Sequence, residues 1–191
     1  MRKLYNWAMR VVSGPYALPT LLVIAFIESS FFPIPPDVLL IPLILAHRKK
    51  AFKIATLTTA SSVIGGMFGY AIGFFLYEKV GLPILNYYDM TESFQKFCDY
   101  YNDYGAWIVF GAGLTPFPYK IVTIASGVTG LNLITFTVAS VLSRGLRFFL
   151  IAWLLHKFGE PVKSFIEKNL GWLSLVFFAL LVGCFFILKL L

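Results

Sequence analysis

The segment ESSFFPIPPDVLLIP, residues 28–42, constrains this chain more than any other. It sets a glutamate, an aspartate and four prolines inside an apolar run that extends over residues 17–46. Proline removes a backbone donor and breaks a helix. Such backbone is tolerated at membrane depth only where protein or a wet cavity surrounds it. The medium follows from composition: 59% of the 191 residues are hydrophobic and 13% charged, with a mean hydropathy of +0.80. A soluble domain carries about twice that share of charge. This chain is read as a membrane protein, and the broken, acidic segment must do something other than cross in one straight helix.

Charge decides what that segment does. Arg2, Lys3 and Arg10 precede it, and Arg48, Lys49, Lys50 and Lys53 follow it. Two basic flanks predict two cytoplasmic ends. Residues 17–46 therefore read as a re-entrant helical hairpin with its tip at Pro33, Pro35 and Pro36. A single span with a proline kink is the competing reading. Residues 1–14 carry Leu4, Trp7, Ala8 and Val11 on one helical face and Lys3, Asn6 and Arg10 on the other, the pattern of an interfacial helix. Residues 54–77 and 133–155 are long enough to cross. The acidic, aromatic stretch 86–105, which includes Cys98, is expected to ride the opposite surface as a short extramembrane helix. Residues 106–128 re-enter from that side, with a tip at Pro116 and Pro118, and 171–191 form a last transmembrane helix.

An internal repeat supports the scheme. PIPPD at 33–37 matches PFPYK at 116–120, TASSVIGG at 59–66 matches TVASVLSR at 137–144, and KVGLP at 79–83 matches KFGEP at 157–161. The first repeat covers 17–85 and the second 106–161, within one membrane domain. One hairpin plus one span is an odd number of crossings, so the two halves should be inverted. Inverted repeats with broken segments meeting near the midplane are the architecture of secondary transporters. The fold class expected is all-α, with two opposed hairpins, about three full spans and the N-terminal amphipathic helix.

Five charged residues fall inside the apolar segments: Glu28, Asp37, Lys120, Arg144 and Arg147. Each costs at least about 2.5–3.5 kcal/mol at bilayer depth, so each needs a partner or water. Arg144 and Arg147 share one helical face and could hold a phosphate. Alternatively they pair with Glu28 and Asp37 and staple the halves together. Asp37 and Lys120 occupy matching places at the two tips, and their unlike charges predict a pair across the repeat axis. Gly65, Gly66, Gly69 and Gly73 have the spacing of close helix packing, and Tyr70 among them could offer its hydroxyl to a cavity. His47 and His156 read as interface residues, and Cys98 and Cys184 as neither a disulfide nor a metal site. No metal, cofactor or catalytic set is expected, so the chain is not read as an enzyme. Nucleic-acid binding is not expected either, because the net charge of +7 clusters at the ends of apolar runs.

The acidic hairpin, GGMFGYAIG (65–73) and GAGLTPFPYKIVTIASG (111–127) resemble the DedA family, also called the SNARE-associated or VTT-domain family, and TPFPYK resembles its YqaA-like branch. The resemblance covers about residues 20–160. It implies an inner-membrane, multi-pass protein with a cytoplasmic N-terminus that transports or scrambles phosphate-bearing lipids, such as undecaprenyl phosphate or phosphatidylethanolamine. It also implies coupling to protons, and matches Glu28 and Asp37 to the family's embedded acids. The family pattern places arginines three before and three after the second hairpin's proline, where this chain has Gly113 and Tyr119. A proton-coupled exporter of small cations or drugs and a non-transporting scaffold are the alternatives, and a homo-oligomer is compatible with each.

Overall fold

A computed structural model describes residues 14, 16–30, 35–87, 91–115 and 118–159. The expected interfacial helix 1–14 (apart from residue 14), the C-terminal helix 171–191, Pro33, Pro116 and Cys184 lie outside the described residues. Within them the chain is helical and has no strand. Its elements are α1 (Ala17–Ser30), α2 (Asp37–Ala46), a 3₁₀ turn (Arg48–Lys50), α3 (Ala51–Leu76), a π-helical turn (Tyr77–Gly81), α4 (Leu82–Tyr87), α5 (Thr91–Leu114), α6 (Tyr119–Val128) and α7 (Leu133–Phe158).

Two of these are long enough to matter for a bilayer. The helical run Arg48–Tyr87, which contains α3, and the 26-residue α7 are each apolar enough to cross. At 1.5 Å per residue α7 spans about 39 Å, against a hydrocarbon core of about 30 Å. Both expose large apolar side chains outward, among them Ile64, Phe68 and Phe75 on α3 and Ile134, Leu142 and Leu150 on α7. An exposed apolar surface on this scale fits hydrocarbon and not water. By contrast α1 has 14 residues and α2 and α6 have 10 each. None of these three reaches across alone.

The long helices lie antiparallel. Near the end of α7, His156 Nδ1 lies 3.0 Å from the carbonyl of Arg48, which precedes α3. At the opposite end the Tyr70 hydroxyl of α3 donates to the Leu131 carbonyl, just ahead of α7, at 2.7 Å. The short helices attach from the two ends. Ala17 and Leu21 of α1 and Leu43 and Ile44 of α2 pack with Ala51 and Ala55 of α3 and Leu155 of α7, so α1 begins and α2 finishes at the Arg48 end. Tyr101 and Asn102 of α5 bond to Ser126 and Thr129 of α6, so α5 begins and α6 finishes at the Tyr70 end. The end of α1, the start of α2 and the end of α5 all come to the middle of α7.

Glycines set how closely these helices approach. A Cβ on Gly65 would run into the Phe26 backbone of α1, and one on Gly73 into the Ile124 carbonyl of α6. Gly69 meets Thr123, and Gly66 faces the Tyr119 ring. The turn between α6 and α7 is a Schellman closure: Leu131 N–H donates to Ser126 O at 3.0 Å and Gly130 N–H to Gly127 O at 3.2 Å, with Gly130 at φ 66°. Asn132 then caps α7, accepting from Ile134 N at 2.9 Å and Thr135 N at 3.1 Å.

Two boundaries differ from the sequence reading. No break separates an extramembrane helix ending at 105 from a hairpin starting at 106, because α5 runs through both. Gly105 does not interrupt it; the glycine leaves room for the Leu131 side chain. The helical run at the end of the first repeat also continues past KVGLP. The π turn precedes Pro83, which then sits in the first turn of α4, where a missing N–H costs little. Cys98 faces inward and is buried.

Candidate functional site

The middle of α7 carries both arginines to the ends of the short helices. Arg144 Nη2 meets Glu28 Oε2 at 2.9 Å, two residues before α1 ends at Ser30. Arg147 Nη2 pairs with Asp37 Oδ2 at the start of α2. The second donor of Arg147, Nη1, reaches the Thr115 carbonyl beyond α5 at 3.1 Å. Side-chain exposure separates the two pairs: 2% and 15% for Arg144 and Glu28, against 22% and 20% for Arg147 and Asp37. Arg144 is sealed, and the Arg147–Asp37 pair is partly exposed.

Arg144 is built into its place. Its guanidinium carbon stands 4.0 Å from the centre of the Tyr119 ring, with Phe148 at 5.9 Å on the same cation. In a desolvated site such a contact contributes about 2 kcal/mol. Tyr119 is fully buried, and its hydroxyl donates to Ser140 Oγ, which donates onward to the Phe136 carbonyl at 2.6 Å. Glu28 is held in turn by Ser29 Oγ at 3.3 Å, and Ser29 lies 2.7 Å from Ser62 Oγ. A chain of small hydroxyls thus surrounds the sealed pair.

The pairs do not satisfy each other. Arg144 Nε and Asp37 Oδ1 are buried and have no hydrogen-bond partner among the described residues. Nε and Nη2 form one edge of the guanidinium fork, an edge suited to two oxygens of a carboxylate or phosphate. Glu28 occupies one of those two donors. The site therefore holds one spare donor and one spare acceptor in a low-dielectric setting, where each costs about 1–3 kcal/mol if left unmet.

Of the residues singled out by sequence, the structure brings Glu28, Asp37, Arg144 and Arg147 together. The predicted Asp37–Lys120 pair does not form: Asp37 takes Arg147, and no carboxylate among the described residues lies in ion-pair reach of Lys120. The start of α2 lies against α7, where Arg147 reaches the Asp37 carboxylate. Tyr70 is also elsewhere, its hydroxyl committed to Leu131 and its ring 5.4 Å from Phe136. Sequence reasoning missed Tyr119, Ser140, Ser29 and Ser62. Of these only Tyr119 carried a signal, as the neighbour of Lys120 in the PFPYK match. Gly113 and Tyr119 abut Ser143 and Arg144 respectively, so both places that hold arginine in the family pattern face this stretch of α7.

Comparison with known proteins gives a consistent result. Residues 34–157 match the family model of the VTT domain. The chain is 36% identical over 189 residues to an uncharacterized protein of Haemophilus influenzae, covering 97% of this chain and 96% of that one. It is 34% identical over 183 residues to an uncharacterized protein of Histophilus somni, covering 94% of each. No solved structure matches the chain.

Proposed function

The chain belongs to the VTT-domain (DedA) family of membrane-associated proteins, and from that premise we propose that it is a lipid transporter or scramblase. It carries a phosphate-bearing headgroup past the Glu28–Arg144 and Asp37–Arg147 pairs. The observation that carries this reading is the incomplete pairing: among the described residues Arg144 Nε and Asp37 Oδ1 are buried without hydrogen-bond partners. A purely structural staple would be stabilised by satisfying every buried polar atom, and apolar packing would staple as well or better. A site that exchanges ligands must keep unmet donors.

On this reading α1–α2 and α5–α6 are re-entrant hairpins of an inverted repeat, and their tips meet at the arginines. The starts of α2 at Asp37 and α6 at Tyr119 add the positive ends of two helix dipoles, which favour a phosphate. Coupling to protons, where it occurs, would run through the Glu28 and Asp37 carboxylates that hold the two guanidinium groups. Undecaprenyl phosphate and phosphatidylethanolamine both present the required oxygens. The basic Arg48–Lys50 turn and Lys157 lie at one end of the molecule, so that end is cytoplasmic in a bacterial inner membrane. No catalytic residue, metal, cofactor or nucleic acid enters the mechanism.

The test is headgroup movement in liposomes holding the purified full-length protein and a fluorescent phospholipid, with no ion gradient. Glu28→Gln and Arg144→Gln should each slow lipid transfer by about tenfold or more, since truncating one side of a buried charge pair costs about 2–5 kcal/mol. Unchanged rates in both variants would refute the role of the pair. Movement of small cations instead of lipid would favour the exporter reading.

A further inference from the structure

Two seams join the hairpins, and they differ. Where α1 meets α6 the contact is close: the Thr123 hydroxyl lies 3.1 Å from the Ser29 carbonyl and 2.9 Å from the Lys120 carbonyl, sharing its proton between them. Gly69 of α3 gives Thr123 the space for this approach. In the sequence repeat, α1 corresponds to α5 and α6 to α2, so the matching seam is α5 against α2. Among the described residues those two helices barely meet. What spans them is Arg147, which holds Asp37 at the start of α2 with one nitrogen and the Thr115 carbonyl beyond α5 with the other.

We infer that the α2–α5 seam is a lateral portal through which a lipid headgroup reaches the arginines from the bilayer, and that Arg147 is its latch. This inference rests on the proposed lipid function. Three observations bear on it independently. Asp37 and Arg147 are 20% and 22% exposed, against 15% and 2% for Glu28 and Arg144, which places the more accessible pair at this seam. Leu114, Leu146 and Leu150, next to Thr115 and Arg147 in the chain, are exposed apolar side chains suited to acyl tails. Among the described residues Asp37 Oδ1 has no hydrogen-bond partner, and the carboxylate holds Arg147 through its other oxygen. A phosphate offers the same guanidinium two oxygens and displaces a singly bound carboxylate. Displacement cuts the tie between α2 and α5, and the tails stay in hydrocarbon while the headgroup passes inward to Arg144. The sealed α1–α6 seam is then the one that opens on the other half of the cycle, as alternation between inverted repeats requires.

The experiment uses the full-length protein in vesicles of phosphatidylethanolamine and phosphatidylglycerol, doped with a phosphatidylethanolamine whose headgroup amine carries a photoreactive diazirine. Cross-linked residues are mapped by mass spectrometry, with lipid-exposed Leu142 as the background at similar depth. Headgroup labelling at 37–41 and 111–115 should exceed that background several-fold. Asp37→Asn, which weakens the latch, should raise it further, and Arg147→Gln should lower it. Labelling at 26–30 and 119–123 instead would overturn the portal while leaving the lipid function standing. Labelling nowhere above Leu142 would overturn both, and this arm needs no variant to fold.

Discussion

α3 and α7 match in sequence yet use the matched positions for different ends. Aligning TASSVIGG with TVASVLSR sets Gly66 against Arg144, and three residues further on Gly69 stands against Arg147. On α3 the two glycines let α6 approach until Tyr119 and Thr123 touch the helix. On α7 the two arginines reach Glu28 near the end of α1, Asp37 at the start of α2 and Thr115 just beyond α5. A helix without side chains at these places brings a neighbour close, and a helix with long cations there can tie together elements that do not touch. The halves therefore share a plan while one supplies tight packing and the other supplies charge.

The sharpest way to break this comparison is to remove one partner of the sealed pair. Glu28→Leu leaves Arg144 as an uncompensated buried cation and should destabilise the protein by about 3–5 kcal/mol, read as a loss of thermal stability in detergent. The double variant Glu28→Leu with Arg144→Met should recover most of that loss. A single variant as stable as the parent would mean that α7's charge is not held by α1.

Next in size is a contrast between glycines on the two helices. Gly73→Ala forces a methyl into the Ile124 carbonyl of α6 and should cost about 1–3 kcal/mol through overpacking. Gly145→Ala on α7 has its nearest neighbour, Thr59 Cγ2, at 3.8 Å, and should gain about 0.5–1 kcal/mol from helix propensity. Equal effects of the two changes would show that the helices pack alike.

The smallest effect concerns the far end of α5. Cys98 is buried, and burial together with the Asp99 carboxylate pushes its thiol pKa up. Less thiolate is present at neutral pH, so the native cysteine should react slowly with an impermeant maleimide, and faster as pH rises. Ser93→Cys, at an exposed position on the same helix, should label promptly in intact cells, while cysteines at Lys49 and Lys157 stay protected. Labelling at 49 with protection at 93 would reverse the orientation.

That result also marks what could be read in advance. The medium, the long helices α3 and α7 and the break at PIPP follow from local rules, because hydropathy and proline act without reference to distant residues. The four charges of the site were legible for the same reason: a charge in an apolar run stands out whatever surrounds it. Which cation meets which acid was not. Asp37 and Lys120 look complementary in the repeat, but the start of α2 lies against α7, and Arg147 takes Asp37. The inward turn of Cys98 and the unbroken course of α5 across the expected boundary at 105–106 depend equally on packing, with Leu131 filling the space beside Gly105. Tyr119 is the clearest case. In the sequence it stands where the family pattern holds an arginine; only the packing of α6 against α7 puts its ring under Arg144 and its hydroxyl on Ser140. Sequence determined which groups had to be hidden from lipid, because that cost belongs to each residue alone. Tertiary structure decided their partners, because pairing depends on distances between segments far apart in the chain.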